Sequence, residues 1–434
     1  MKKSTYFLLA LVVLSLIYIF LFEKKHKTTE EINKSQKKVF ADIPKDIEVI
    51  ERKGFEDIKI EKKDENYFIV SPFYDPADSG SVTGFVEALR EATVERIINN
   101  PDLEKLGLVT PNITVILKSK ENEKTLLIGK NPPLEKGVYF KSDDKVGVLS
   151  EYTLDTIKRK IHDFRSKELC SPLKYEDVKH LTYLKNNEVF FEFEKRDENW
   201  YILHPFKDLA DKRKTTFFVE DIVLWPIMNF DENDINFEKT NLDKSIEKIK
   251  IESTNGKEIT IYIGGIKDEE KNFYYSKVST RQGIFIISKN SVRNIDKNAD
   301  DFISLEVFPF DFNGCEKLIL EGEEKIVFEN PEHKGWVEEK KKIKEDQIKT
   351  FMYTLEYLEG ERKAEKNGEK PIFAKIIINK NEENIERTIW DENELLLVEI
   401  KERNLTVALS KDESERLKNA IRTIFLQYKE NGSN

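Results

Sequence analysis

Residue types that build catalytic and metal sites are scarce in this sequence. It holds two cysteines and five histidines among 434 residues. No HExxH or His-x-His cluster, CxxC motif, Gly-x-Ser-x-Gly elbow, GxGxxG or P-loop is present. The histidines are His26, His162, His180, His204 and His333. We therefore expect a protein that is not an enzyme, with no catalytic, cofactor-binding or metal-binding residues and no cofactor.

The two cysteines, Cys170 and Cys315, are too few for a disulfide scaffold. They do not occupy equivalent positions in the repeat described below. One bridge between them and a pair of buried free thiols both remain open.

Charge and composition bound the class of protein. Hydrophobic residues make up 39% of the chain, which is enough to bury a core and excludes wholesale disorder. The formal net charge is −10, so a general affinity for nucleic acid is not expected, because neutralising phosphates needs a basic face.

The most informative feature that is present is an internal repeat. The stretch Glu65–Phe73 reappears as Glu198–Phe206, 133 residues later, and both copies lead into an Ala-Asp pair before a helical stripe. Another step of 133 residues reaches Phe351, inside a third helical stripe. The chain is therefore predicted to use one module about three times.

Each module is predicted to be α+β, with a hairpin, a helix, a mostly antiparallel sheet and a closing helix. In module one the hairpin turns at Asp64–Asn66, and the helix carries Val82, Phe85, Val86 and Leu89 on one face. Leu154, Ile157 and Ile161 indicate the closing helix, and Leu417, Ile421, Ile424, Phe425 and Tyr428 the terminal helix, which begins at a Ser410 capping box. The predicted domains are an anchor at 1–23, a polar spacer at 24–45, and modules at 46–172, 173–310 and 311–434, the last degenerate.

The repeated Pro-Phe-x-Asp-x-Ala-Asp motif holds the only carboxylate pairs that suggest a site. Asp75 with Asp78, or Asp208 with Asp211, could bind a metal or act as acid and base. Asp78 and Asp211 stand just before helices, however, so helix N-capping is the preferred interpretation. Lys344 stands at the corresponding place in module three, which argues against a shared catalytic role.

Aromatic and glycine positions also recur. Tyr67, Trp200 and Trp336 could line a ligand groove, but packing beneath the adjacent helix is the preferred interpretation. Gly129 and Gly264–Gly265 are interpreted as turns that end strands.

The N-terminus predicts a membrane anchor. Thr5–Phe22 is an uncharged run of 18 residues, long enough to cross most of the hydrocarbon layer. No small-x-small cleavage site follows it, so we expect an uncleaved single-pass helix. Lysines flank both ends and leave the positive-inside rule near a tie. The usual signal-anchor arrangement places the bulk of the chain outside the cytoplasmic membrane.

Several motifs together resemble a known family. They are the Tyr/Trp-x-Ile/Leu-x-x-Pro-Phe…Ala-Asp pattern, Leu106–Pro111, Leu127–Lys130 and Asp163–Lys167. The chain is similar in these to domain-of-unknown-function family 4340. The resemblance covers modules one and two well and module three weakly. It departs from the pattern where Asn241–Asp243 replaces a Gly-Leu element, and where Pro226 follows Trp225 in the predicted helix.

That resemblance implies a membrane-anchored envelope protein associated with ABC-type export systems of the gliding-motility type. It carries no known catalytic residues. We therefore expect a non-catalytic accessory or scaffold protein in the periplasm or its equivalent, partnered by the membrane and by transporter subunits or other envelope proteins, without nucleic acid. The alternative is an exported protein that binds an envelope glycan, peptide or lipid. An envelope hydrolase using the aspartate pairs is a third, less favoured hypothesis.

Overall fold

The computed structural model describes residues 37–40, 42–231, 240–365, 370–381, 383–392 and 394–431. Their strands form three mostly antiparallel sheets, accompanied by a few helices. The α+β class predicted from the sequence is confirmed at that level. The predicted anchor Thr5–Phe22 lies outside the described residues. Within them, no helix combines the length and apolar character that a membrane crossing needs.

The first sheet holds nine strands, and all neighbouring strands in it are antiparallel. Its strands are β1 (Val49–Lys53), β2 (Ile58–Lys63), β3 (Asn66–Ser71), β4 (Asp75–Pro76), β5 (Val94–Ile97), β6 (Ile113–Lys118), β7 (Glu123–Ile128), β8 (Val138–Ser142) and β9 (Lys145–Leu149). Their order is β4-β3-β2-β1-β6-β7-β8-β9-β5.

The second sheet repeats these pairings. Its strands are β10 (Val178–Lys185), β11 (Glu188–Arg196), β12 (Asn199–His204), β13 (Asp208–Leu209), β14 (Asn229–Asp231), β15 (Glu247–Ser253), β16 (Glu258–Asp268), β17 (Phe273–Val278) and β18 (Ile284–Ser288). The runs β13-β12-β11 and β10-β15-β16-β17-β18-β14 are antiparallel throughout.

The third sheet holds eight strands. They are β19 (Lys317–Glu321), β20 (Lys325–Glu329), β21 (Val337–Glu338), β22 (Arg362–Lys363), β23 (Ile372–Lys380), β24 (Glu383–Glu392), β25 (Leu395–Ile400) and β26 (Leu405–Ala408). Their order is β21-β20-β19-β23-β24-β25-β26-β22, again antiparallel. Among the described residues, this sheet has no counterpart of the short edge strands β4 and β13.

Six α-helices lie wholly within the described residues. They are α1 (Ser79–Glu91), α2 (Glu151–Ile157), α3 (Lys212–Val223), α4 (Lys289–Asn294), α5 (Glu345–Glu356) and α6 (Lys411–Glu430). The apolar faces predicted for α1 and α6 are confirmed. The four residues named for α1 are buried, as are the five named for the terminal helix α6. Ser410 caps α6 by accepting the backbone N–H of Glu413.

Contacts between residues divide the described chain into two compact units. One holds the residues up to Phe190 together with Phe218–Asp296, and the other holds Phe191–Phe217 together with the residues from Lys297 onward. In the first unit, α1 packs its stripe on the first sheet, where Phe85 meets Phe164 edge to face at 5.3 Å. In the second unit, α5 packs against α6. Phe351 of α5 also contacts Phe328, with 5.8 Å between their ring centres.

Three local predictions are wrong. The closing helix of module one ends at Ile157, and Ile161 begins a separate 3-10 turn, Ile161–Phe164. Gly264 and Gly265 lie inside β16, which continues past them through a change of register, rather than in a turn. Helix α3 ends at Val223, so Trp225 lies outside it. The two helix predictions extended an apolar pattern past the end of a helix, and the glycine prediction placed a turn where the strand continues.

Candidate functional site: a repeated aspartate–arginine junction

Asp75, the first aspartate of the repeated motif, is completely buried between two arginines. Strand β3 ends at Ser71, because Pro72 cannot donate to a ladder, and β4 returns so that Asp75 lies opposite Ile69. Arg281 donates from Nε to Asp75 Oδ1 and from Nη2 to Oδ2, both at 2.8 Å. Arg165 donates from Nε to Oδ2 at 2.7 Å. We call Asp75, Arg165 and Arg281 the first junction.

Further donors of these arginines go to backbone carbonyls. Arg281 donates to the oxygens of Ser166 at 3.0 Å and Glu168 at 2.6 Å. Arg165 donates to the oxygen of Gln282 at 3.2 Å, and its guanidinium lies 4.0 Å from the ring centre of Phe230. A buried guanidinium needs hydrogen-bond acceptors such as these carbonyls. The aromatic face of Phe230 further stabilises the positive charge of Arg165.

The same arrangement recurs around Asp208 in the second unit. Arg403 donates from Nε to Asp208 Oδ1 at 2.6 Å and from Nη2 to the oxygen of Ser304 at 2.7 Å. Its Nη1 lies 3.5 Å from the oxygen of Glu306. Asp208 and Arg403 form the second junction.

The correspondence holds position by position. Asp75 and Asp208 are 133 residues apart, and Ser166 with Ser304 and Glu168 with Glu306 are both 138 apart. Arg281 lies in the connection between β17 and β18, and Arg403 lies in the corresponding connection between β25 and β26. Each junction therefore joins the edge-strand aspartate of one repeat to an arginine of the following repeat.

Asp78 and Asp211 have a different and local role. Asp78 accepts the backbone N–H of Ser81 at 2.6 Å and caps α1. Asp211 accepts that of Lys214 at 2.9 Å at the start of α3. Lys344 precedes α5 and makes no side-chain capping bond. The N-capping prediction is confirmed for both aspartates, and the two carboxylates of each motif serve separate structural purposes.

The two junctions differ in charge. Ile303 stands where the first junction has Arg165, and Glu359 stands where the first has Pro226, opposite Glu306. Glu306 is an exposed residue, but partial desolvation, and then the negative charges of Glu359 and Asp211, raise the pKa of its carboxyl. A groove of about 480 Å³ lies here, lined in part by Asp211, Glu306 and Glu359.

The cysteines and histidines of the described residues are, by residue type, possible metal ligands or reactive groups. Cys170 and Cys315 are buried free thiols, and burial raises the pKa of Cys170 to about 12 and that of Cys315 to about 11. In the described part of the chain, no three His, Cys, Asp or Glu side chains group as metal ligands would. His26 lies outside that part.

The repeated aromatics are packing residues where the structure describes their bonds. Trp200 is buried and donates from Nε1 to Thr216 Oγ1 of α3 at 3.2 Å, so its predicted place beneath the helix is confirmed. Tyr67 is half-buried and donates to the oxygen of Ile47 at 3.0 Å. Trp336 is also half-buried.

Sequence reasoning missed Arg281 and Arg403. Each lies in a connection between strands, where a charged residue usually means only a solvated turn. The signal that could have found them is the pairing of an arginine in that connection with the edge-strand aspartate of the preceding repeat. Module one has Asp143–Asp144 at this connection, and no repeat precedes it in the described chain.

The fold and junctions define a class: antiparallel α+β repeats joined by aspartate–arginine pairs. The chain belongs to the family described as Domain of unknown function (DUF4340), whose model matches residues 68–224 and 228–371. No curated protein sequence matches it. A crystal structure provisionally assigned as a DNA polymerase III beta subunit from Eubacterium rectale shares 11% identity with it, over 87% of this chain and 95% of that one. Its TM-score is 0.16, too low to carry an argument about fold or function.

Proposed function

We propose that this protein is a non-catalytic accessory or scaffold protein of the cell envelope. Its N-terminal apolar segment holds it in the cytoplasmic membrane, and its repeats project outside to contact an ABC-type transporter or another envelope protein. The observation that carries the proposal is the fate of the motif aspartates. Asp75 and Asp208 form ion pairs with arginines, and Asp78 and Asp211 cap helices, so the residues that most suggested chemistry connect and build repeats instead.

The transporter partner is an expectation from the family resemblance, and the membrane setting rests on Thr5–Phe22. A chain that uses its polar motif residues internally offers its outer surface for protein contacts. That surface carries a mixture of both charges, which favours specific protein partners over nucleic acid.

Gentle-detergent purification after in vivo crosslinking tests this proposal. The full chain carries a tag after Asn434, and an unrelated single-pass membrane protein with the same tag is the control. We expect subunits of one ABC transporter to be enriched with this chain alone. Recovery without any transporter or envelope protein above the control would contradict the proposal.

Ligand binding is the second candidate, and one groove favours it. It has a volume of about 710 Å³ and is bounded by three loops of the first unit, with Lys45, Lys62 and Lys120 among its lining residues. Thermal-shift measurements with envelope glycans, peptides and lipids would reveal a ligand as a rise in melting temperature. No shift with any of them would remove this candidate.

Hydrolysis by the aspartate pairs can be tested by changing Asp75, Asp78, Asp208 and Asp211 singly to Asn. Any envelope hydrolase activity of the native chain should survive each change, because these carboxylates are engaged in structural bonds. Loss of such activity in a variant that remains folded would revive the hydrolase hypothesis.

A further inference from the structure

The second junction places two carboxylates directly opposite each other. Glu306 and Glu359 form an isolated antiparallel bridge. The flanking bonds run from Val307 N to Leu358 O at 3.0 Å and from Gly360 N to Leu305 O at 2.8 Å. That pattern marks the narrow, non-hydrogen-bonded type of antiparallel pair, in which side chains lie closest. Like charges at such a pair are destabilising.

The first junction has the same backbone pairing, but only one of its two opposed residues is a carboxylate. Leu169 N donates to Trp225 O at 2.9 Å, and Ile227 N donates to Lys167 O at 2.7 Å. These bonds flank Glu168 and Pro226, so Glu168 faces a proline where Glu306 faces a glutamate. The chain therefore contains its own comparison for the effect of the opposed pair.

Charges from every neighbouring segment act on Glu306. Asp211 at the start of α3 and Glu359 are negative, while Lys212 and Arg403 are positive. Arg213 also lines the groove. The guanidinium of Arg403 is already bonded to Asp208 and to backbone oxygens, so it compensates Glu306 only in part.

We propose that the second junction is a proton-responsive joint, in which Glu306 and Glu359 repel each other when both are ionised and stop repelling when Glu306 binds a proton. The pairing of 305–307 with 358–360 then tightens as the pH falls. This inference does not rest on the envelope location or on a partner.

The direction follows from linkage. The pKa of Glu306 is raised in the folded protein, so the folded state binds the proton more tightly than the unfolded chain does. The junction is therefore more stable in acid, near and below the ordinary glutamate range. It loses that stability as the pH rises through the raised pKa.

Hydrogen exchange on the full-length protein in detergent tests the joint at pH 5 and pH 7.5. Rates are corrected for the intrinsic effect of pH, and the readouts are peptides containing the donor amides of Val307 and Gly360. We expect protection of these peptides to be about two- to fivefold greater at the lower pH. Glu306→Gln should give high protection at both pH values. Glu359→Gln should raise protection at pH 7.5 and reduce the pH response, because partial desolvation and Asp211 still raise the pKa of Glu306.

Glu168→Gln is the matched control and should leave the pH response of the second junction unchanged. Peptides from the first sheet should exchange as in the native chain in all three variants, which verifies folding. Equal native protection at the two pH values would overturn the proposal. So would a pH response that survives in the Glu306 variant, or one that is undiminished in the Glu359 variant, because the proposal requires repulsion between the two carboxylates.

Discussion

At the residue scale, two aspartates three positions apart show how burial decides a role. Asp78 satisfies a backbone N–H of its own helix, which is a short-range interaction. Asp75 is fully buried and balances Arg165 and Arg281, the latter 206 residues away. A buried carboxylate with good bidentate geometry is hard to replace, because its loss leaves buried cations uncompensated.

We therefore expect Asp75→Asn to reduce the free energy of unfolding by about 3–5 kcal/mol. The substitution keeps the shape of the side chain and removes the negative charge that both arginines share. Chemical denaturation of the purified full-length protein measures the effect. Asp64→Asn is the control, since Asp64 is an exposed turn residue with φ of 55°, a conformation that Asn also adopts. A loss for Asp75→Asn no larger than for this control would contradict the role assigned to the junction.

At the element scale, the repeats share their helices but not all the devices that begin and end them. Helices α1 and α3 are capped by Asp78 and Asp211, whereas α5 follows Lys344, which has no capping bond. Strand β7 ends before a glycine, Gly129, whose place in the next repeat, Gly264, lies within a longer strand. From these differences we expect one substitution to stabilise the protein and another to destabilise it.

Lys344→Ser should stabilise the third repeat by about 1 kcal/mol. The new hydroxyl can accept the backbone N–H of Gln347, and Gln347 stands three residues on, where its side chain can complete a capping box. Lys344→Ala removes the same charge without supplying an acceptor and is the matched control. The measurement is the unfolding midpoint of both variants, and an equal gain in the two would show that capping is not the cause.

Gly129→Ala should destabilise the first unit by about 1–3 kcal/mol, as overpacking does elsewhere. A Cβ at Gly129 would lie 2.3 Å from the backbone oxygen of Leu106, which already accepts the N–H of Lys130. Gly84→Ala in α1 is the contrasting variant, because its Cβ would meet no described atom within 4 Å. That change should stabilise by about 0.5–1 kcal/mol. The melting temperatures of the two variants distinguish these effects. An unchanged melting temperature for Gly129→Ala would mean that the backbone at Leu106 moves away at little cost.

At the scale of the whole molecule, the repeat is a feature of construction rather than of chemistry. The first two sheets share their pairings strand for strand, and the third keeps the same scheme without the aspartate-bearing edge strand. A junction needs that aspartate and a following arginine, so the described chain contains two such junctions. The setting of these repeats relative to the membrane stays a prediction from the N-terminal sequence.

Protease accessibility tests that setting directly. With a tag after Asn434, we expect protection in intact cells and digestion in spheroplasts, because the repeats should lie outside the cytoplasmic membrane. Removing residues 1–23 should leave the tagged chain unattached to membranes in fractionation. A known cytoplasmic protein verifies that spheroplasts stay closed. Protection until lysis would place the repeats in the cytoplasm and weaken the proposed partnership with a transporter.

Much of the fold could be predicted from the sequence because its causes act over a few residues. Alternating apolar positions predicted the hairpin of β2 and β3, helical spacing predicted the buried face of α1, and an aspartate before that spacing predicted its cap. The 133-residue offset predicted the repetition without any knowledge of its shape.

Tertiary structure alone decided the rest. Nothing local distinguishes Asp75 from an exposed acid, places Arg281 beside it, or sets Glu306 opposite Glu359. These pairings join positions from 53 to 206 residues apart, and the energy of the Asp75–Arg281 pair depends on burial, which removes the solvent that would otherwise screen it. Local periodicity thus determined the elements of this protein, while the long-range burial of charge decided how successive repeats are joined.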